Sequence, residues 1–208
     1  MITLNQVFVK NYDNREETLK INEKEALRYS GFTGDFSLCE EEIKADFYKA
    51  EEELEKNFTP KVCFAFYDLK REGEKIILPF ECLSKDLNLC LKDSESILIF
   101  AATLGIKTDL YIKKNMISNK TRALYAEGIG SEKAERLCDF FCSEIKEEIG
   151  GEAYITPRFS PGYGDFKLEH QRDIFKLLEP EKNIGVSLTK GLLMSPCKSV
   201  TAVMGIKS

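Results

Sequence analysis

Apolar positions recur at helical spacing in some stretches of the chain and at both parities of a strand in others, and the two patterns are interleaved. Asn22 followed by Glu25 reads as an N-cap with its capping-box partner, opening a short helix that Gly31 or Gly34 ends. Ile43, Phe47, Ala50 and Leu54 predict a helix over about 40–57, its other faces solvated by Glu and Lys and its end set by Pro60. The run KVCFAFYDL (61–69) is aromatic and β-branched with apolar residues on both faces, which predicts a buried strand. A second strand is expected over 75–80, with Pro79 at its end, and a third, the most apolar, over 96–104 (SILIFAATL). Gly105 then turns the chain into a helix over about 107–118. Ala134, Leu137, Cys138, Phe141 and Ile145 form the buried stripe of a longer helix over 131–149, stopped by Gly150-Gly151. A strand over 153–159, a loop rich in glycine and proline (160–164) and a helix near 168–178 with Ile174, Leu177 and Leu178 inward follow. The last strand, about 198–206, alternates Val200, Ala202, Met204 and Ile206 against Ser199, Thr201 and Gly205.

Strands and helices mix without a regular βαβ beat, so the expected class is α+β, a mixed or antiparallel twisted sheet flanked by helices. Residues 1–60 read as a helical N-terminal extension to an α+β core over 61–208, with one compact domain overall. The 35 acidic residues outnumber the 30 basic ones, a net charge of −5 that argues against a general nucleic-acid binder. No apolar run approaches the roughly 18 residues of a membrane span, and the first ten residues lack the pattern of a signal peptide. A cytoplasmic location is therefore expected. Seven cysteines, an odd number without a C-x-x-C, suit reduced thiols better than a disulfide framework. Cys138 and Cys142 share one helix face, either as part of the apolar stripe or as two metal ligands. The single histidine, His170, lies in the charged stretch LEHQRD and reads as a surface residue. Neither a G-x-G-x-x-G fingerprint nor a Walker A sequence is present.

The densest local signal is TPRFSPGYGD, residues 156–165. Pro157 and Pro161 stiffen the backbone on both sides of Arg158, and Gly162 and Gly164 permit tight turns or a close approach to a ligand. A guanidinium in that setting can clamp a carboxylate through two parallel hydrogen bonds, and Tyr163 adds a phenol that can hydrogen-bond or stack. This would suit a ligand with an amino-acid end. Ser160-Pro161-Gly162-Tyr163 also has the composition of a plain type II turn, with proline at its second and glycine at its third position.

From Arg158 onward the chain resembles the activation domain of cobalamin-dependent methionine synthase. The shared elements come in order: Arg158-Phe159-Ser160-Pro161-Gly162-Tyr163, a helix, Leu188-Thr189-Lys190, Met194-Ser195-Pro196 and a closing strand with Ser199-Val200. The upstream segments KEALRYSGF, FAATLG and GIGSEKAERL are similar to stand-alone bacterial members, so the resemblance runs from about residue 20 and is strongest over 156–206. The resemblance implies a protein that binds S-adenosylmethionine (AdoMet) beside the cobalamin carried by a partner. When that cobalamin is oxidised to its inactive cob(II)alamin state, a flavodoxin- or ferredoxin-like donor reduces it and AdoMet remethylates it. The chain would then be an accessory subunit of methionine synthase or of another corrinoid protein, with no nucleic-acid or membrane partner. By the same resemblance Arg158 meets the methionyl carboxylate, Ser160 contacts the ligand through its backbone, Gly162 keeps the loop close, and Tyr163 faces the reaction site. Glu135, in AERL, matches an acidic residue near the ligand.

Two departures from the family set further expectations. The family's domain continues past the closing strand with another ligand-binding tyrosine, whereas Ser208 follows that strand directly here, so a pocket open on one side is expected. An acidic ligand contact from the family's N-terminal part finds no match in residues 1–60. A module of another class, which docks on a corrinoid protein and stabilises one conformation without binding AdoMet, is the alternative. A thiol-based metal or redox protein is a third reading.

Overall fold

The computed structural model describes residues 4–13, 19–73, 75–77, 79–150 and 154–207. The strands are β1 (Phe8–Asn11), β2 (Lys61–Asp68), β3 (Lys70–Glu72), β4 (Lys75–Ile77), β5 (Glu81–Leu83), β6 (Ser96–Thr103), β7 (Tyr154–Ile155), β8 (Ser187–Leu188), β9 (Met194–Ser195) and β10 (Ser199–Lys207). The helices are α1 (Glu23–Tyr29), α2 (Glu41–Glu55), α3 (Lys85–Cys90), α4 (Ile106–Ser118), α5 (Lys120–Glu148), α6 (Gln171–Leu178) and α7 (Pro180–Ile184).

A five-stranded sheet in the order β1-β2-β6-β10-β7, antiparallel at every pairing, carries the fold. Phe100 of β6 lies between Phe64 of β2 and Ala202 of β10 in register. Because successive side chains of a strand face opposite ways, β2, β6 and β10 feed two cores. Val62, Phe64, Phe66, Leu98, Phe100 and Ala102 meet α1, α2 and α5 on one face. Cys63, Ala65, Ile97, Ile99, Ala101 and Val203 meet α3, α6 and α7 on the other. Burial on both faces explains the near-continuous apolar runs of 61–69 and 96–104. The α+β reading is borne out.

The local predictions for β2, β6, β10, α2 and α4 match the structure to within a few residues. The Asn22 side chain accepts from the Glu25 N–H as an N-cap should. The second half of the expected box differs, since the Asn22 N–H donates to Glu132 of α5 at 3.1 Å rather than to Glu25. The first sixty residues also contribute β1, which pairs with β2, and Leu19, Ala26, Leu27, Phe47, Ala50 and Leu54 sit in the same core as the sheet. Of the strand expected over 75–80, residues 75–77 form β4, inside a separate β3-β4-β5 sheet, and Leu78 lies outside the described residues. That expected over 153–159 reduces to β7 plus a bridge from Phe159 to Val203, with Ala153 outside the described residues. The helix near 168–178 opens with a 3-10 turn at Leu168–His170. No helix among the described residues is long and apolar enough to cross a membrane.

The longest helix, α5, starts at Lys120 rather than at 131, capped by the Asn119 side chain on the Arg122 N–H at 3.0 Å. Gly128 and Gly130 lie inside this helix and are contact points. A Cβ at Gly128 would meet the Ala26 carbonyl oxygen of α1 at 2.2 Å.

Candidate functional site

The site is built where the sheet stops. Beyond β7, Thr156 stays tied to β10 because its N–H donates to the Gly205 carbonyl at 3.0 Å and its Oγ1 accepts from the Gly205 N–H at 2.8 Å. Phe159 and Val203 exchange both backbone hydrogen bonds at 2.9 Å. Continued two residues further, this register would set Pro161 opposite Thr201, but proline has no N–H to offer. No backbone bond joins Ser160–Tyr163 to Ser199–Thr201 among the described residues, and the outer edge of β10 opens there onto a cavity of about 500 Å³.

Extended backbone sends the adjacent residues Arg158 and Phe159 to opposite faces. Phe159 joins the core beneath α6. Arg158 reaches α5, where its guanidinium donates to Glu135 Oε2 at 3.1 Å and Asp139 Oδ1 at 2.7 Å. Its side chain is 23% exposed, so this loop arginine is half-buried and already ion-paired. The reason is non-local: α5 runs past this edge of the sheet, and its carboxylates one turn apart meet the guanidinium. Burial works against the charge on Arg158, but the neighbouring Cys138, Glu135 and Asp139 outweigh it and hold the guanidinium above its ordinary pKa.

After Phe159 the chain makes the turn that composition predicted. Tyr163 N–H donates to Ser160 O at 3.2 Å, and Gly162 takes φ +99°, a conformation that favours glycine. The loop is then pinned. The Asp165 carboxylate accepts from Ser84 Oγ and from the Lys85 and Asp86 N–H groups at the start of α3, and Asp86 Oδ2 accepts from the Asp165 N–H at 3.1 Å. These donors, the Ser84 hydroxyl first, hold the Asp165 carboxyl below the usual range. Gly164 takes φ +53°, a conformation that favours glycine, and a Cβ there would meet Asp86 Oδ2 at 2.1 Å.

Glu135, Arg158, Ser160 and Tyr163 all line the cavity. Tyr163 is 68% exposed and stands at its rim. Gly162 does not line it; a Cβ added there would stand 3.3 Å from Leu168. Pro161, Met194 and Val200 supply apolar wall, and Gln171, Ser199 and Thr201 supply a polar one. Met194 and Ser199 belong to elements that carried the resemblance, although no role came with them. Asp139, Gln171 and Thr201 went unread, because a polar residue in an amphipathic pattern gives no signal until the topology sets its neighbours.

The cavity thus has two unlike ends. On the α5 side a guanidinium and a carboxylate lie together, which suits the carboxylate and ammonium of an amino acid. On the α6 side the groups are uncharged hydrogen-bonding ones. A volume of this order is typical of small-molecule sites. The thiols do not take part in an obvious reaction: burial pushes Cys138 up to about 12 and Cys142 up to about 11 despite the nearby Arg158, which leaves both protonated. Cys138 lies in the apolar stripe. No cluster of three or more His, Cys, Asp or Glu that could hold a metal ion occurs among the described residues. His170 is not the surface residue expected. The 3-10 turn rotates it inward between Phe80 and Phe166, at centroid distances of 5.5 and 5.2 Å, with Asp173 Oδ2 at 3.2 Å.

Residues 125–207 match the family model described as vitamin B12 dependent methionine synthase, activation domain. The resemblance read from the sequence is therefore borne out over the stretch that lines the cavity. No curated protein matches the chain. Among solved structures, the crystal structure of the MetH reactivation domain bound to AdoHcy has the same fold, with a TM-score of 0.69. The two chains are 17% identical, and the match covers 96% of this chain and 78% of that one.

Proposed function

We propose that this protein binds AdoMet in the cavity at the β10 edge and serves the reductive reactivation of a corrinoid methyltransferase, methionine synthase in the first place. The observation that carries the reading is the cavity's polarity. A guanidinium–carboxylate pair at one end and uncharged hydrogen-bonding groups at the other match a ligand that is a zwitterion at one end and a nucleoside at the other. The family match over 125–207 and the fold shared with a reactivation domain that binds AdoHcy support the same assignment.

AdoMet would supply an electrophilic methyl group to the reduced cobalt of the partner's corrinoid. The work of this chain is positioning. Arg158 holds the ligand carboxylate, Glu135 its ammonium, and the Ser160 backbone borders the same end. Apolar Pro161, Met194 and Val200 shield the middle of the ligand from water, and Tyr163 at the rim faces the side from which a corrinoid would approach. The protein acts as a cytoplasmic subunit separate from the corrinoid-bearing chain, with electrons from a flavodoxin- or ferredoxin-like donor.

The test is a reactivation assay. Purified protein added to an oxidised corrinoid methyltransferase with a reductant and AdoMet should speed the return of the methylated cofactor, followed by visible absorption. Arg158→Ala should lose this effect together with AdoMet binding, since a charge-assisted contact is worth about 1.5–3 kcal/mol, roughly tenfold or more in affinity. A recovery rate unchanged by the wild-type protein would refute the role. Partner binding without AdoMet binding would point to the docking module instead.

A further inference from the structure

Helix α4 buries one side only. Thr108, Tyr111, Ile112 and Asn115 pack inward, whereas Ile106, Leu110 and Ile117 share the side turned to solvent and are 49%, 58% and 91% exposed. A single exposed apolar residue is ordinary on a protein surface, but three on the outer face of one helix form a patch that nothing in the fold covers. The charge of this face is one-sided too. Every exposed charged residue from 106 to 126 is a lysine, namely Lys107, Lys113, Lys114 and Lys120, in a chain whose net charge is −5.

The face begins beside the cavity. Asp109 of α4 accepts from the Cys197 N–H at 2.8 Å, and Ser199, two residues further on, lines the cavity wall. A protein seated over the cavity therefore meets α4, and the surface that fits there has an apolar centre ringed by carboxylates. A second copy of this chain related by a twofold axis fits poorly, because an isologous contact would set lysine against lysine. An anionic bilayer is disfavoured by the acidic remainder of the chain. We propose that the outer face of α4 is the docking surface for the corrinoid-bearing partner, which meets it with an acidic surface around an apolar centre. The proposal rests on the reactivation role above and adds where the partner sits.

Two double variants test it: Leu110→Ser with Ile117→Ser, and Lys113→Glu with Lys114→Glu. All four side chains are exposed and none lines the cavity, so urea unfolding and calorimetry should find wild-type stability and wild-type AdoMet affinity. The probe is the corrinoid methyltransferase of the reactivation assay. Each variant should bind it about tenfold more weakly or worse. The protein concentration that gives half-maximal reactivation should rise by the same factor, while the rate at saturation keeps its wild-type value. Added salt should bring the dissociation constants of wild type and the lysine variant together. Variants that bind the methyltransferase as wild type does overturn the proposal and leave the AdoMet reading standing. So does a loss confined to reduction of the corrinoid, which would assign the face to the electron donor. A wild-type dimer or a vesicle-bound form that the variants abolish, with methyltransferase binding intact, overturns it as well. Wild-type protein that neither binds nor reactivates the methyltransferase overturns the proposed function and this proposal together.

Discussion

Arg158 already holds two carboxylates before any ligand arrives, and they are not equivalent. Glu135 lines the cavity, whereas Asp139 stands one helical turn further along α5 and outside it. Asp139 competes with an incoming carboxylate for the guanidinium charge, and its exposed ion pair is worth only about 0–1 kcal/mol. Asp139→Asn should therefore tighten AdoMet binding, by up to about fivefold on that figure, and calorimetry that showed weaker binding would mean that Asp139 is itself a ligand contact. Glu135→Gln should act the other way if Glu135 takes the ammonium. The motif arginine and its loop were legible because proline and glycine around a charge are rare in a packed element. Gln171 and Thr201 were not, since only the topology brings α6 and β10 to one cavity.

The helix α5 and the loop 160–165 show where local pattern reading succeeds and where it stops. The buried stripe from Ala134 to Ile145 was legible from its period, but the eleven residues before 131 were not, because Gly128 and Gly130 favour a break unless another element needs the space. That element is α1. Gly128→Ala would put a Cβ 2.2 Å from the Ala26 carbonyl oxygen and 2.7 Å from the Ser30 nitrogen, backbone atoms that cannot swing away. It should destabilise the fold by about 1–3 kcal/mol. Gly130→Ala meets only the flexible stem of Lys198, nearest at 3.1 Å, and should be near neutral or mildly stabilising. Urea unfolding midpoints of the two variants would separate these outcomes. The loop gives a pH prediction. The Asp165 carboxyl is held below its unfolded value of about 4, so its contribution is present above that pH and is lost as pH falls through the lower folded value. The difference in urea midpoint between wild type and Asp165→Asn should accordingly be largest near neutrality and shrink towards pH 3. A pH-independent difference would mean that shape rather than charge pins the loop to α3.

At the scale of the whole molecule, the class of fold was legible because three strands are buried on both faces and read as apolar runs. The strand order was not, nor the entry of Phe8–Asn11 into the sheet, since both depend on contacts distant in sequence. The cavity has the same character. Its walls come from α5, the 158–163 loop, the start of α6 and the first residues of β10, which no local pattern joins. Its position also has a consequence for solvent. By the alternation that points the N–H and C=O of Val203 and Gly205 away from β6, those of Thr201 point the same way, into the cavity. A bound molecule there takes the place of the strand that Pro161 prevents. Amide hydrogen exchange followed by NMR should therefore slow at Thr201 when AdoMet is added, while Ala202, whose N–H faces β6, exchanges at its former rate. An edge that in other sheets recruits a second chain would, on the proposed function, be a place where a small molecule acts as the missing strand.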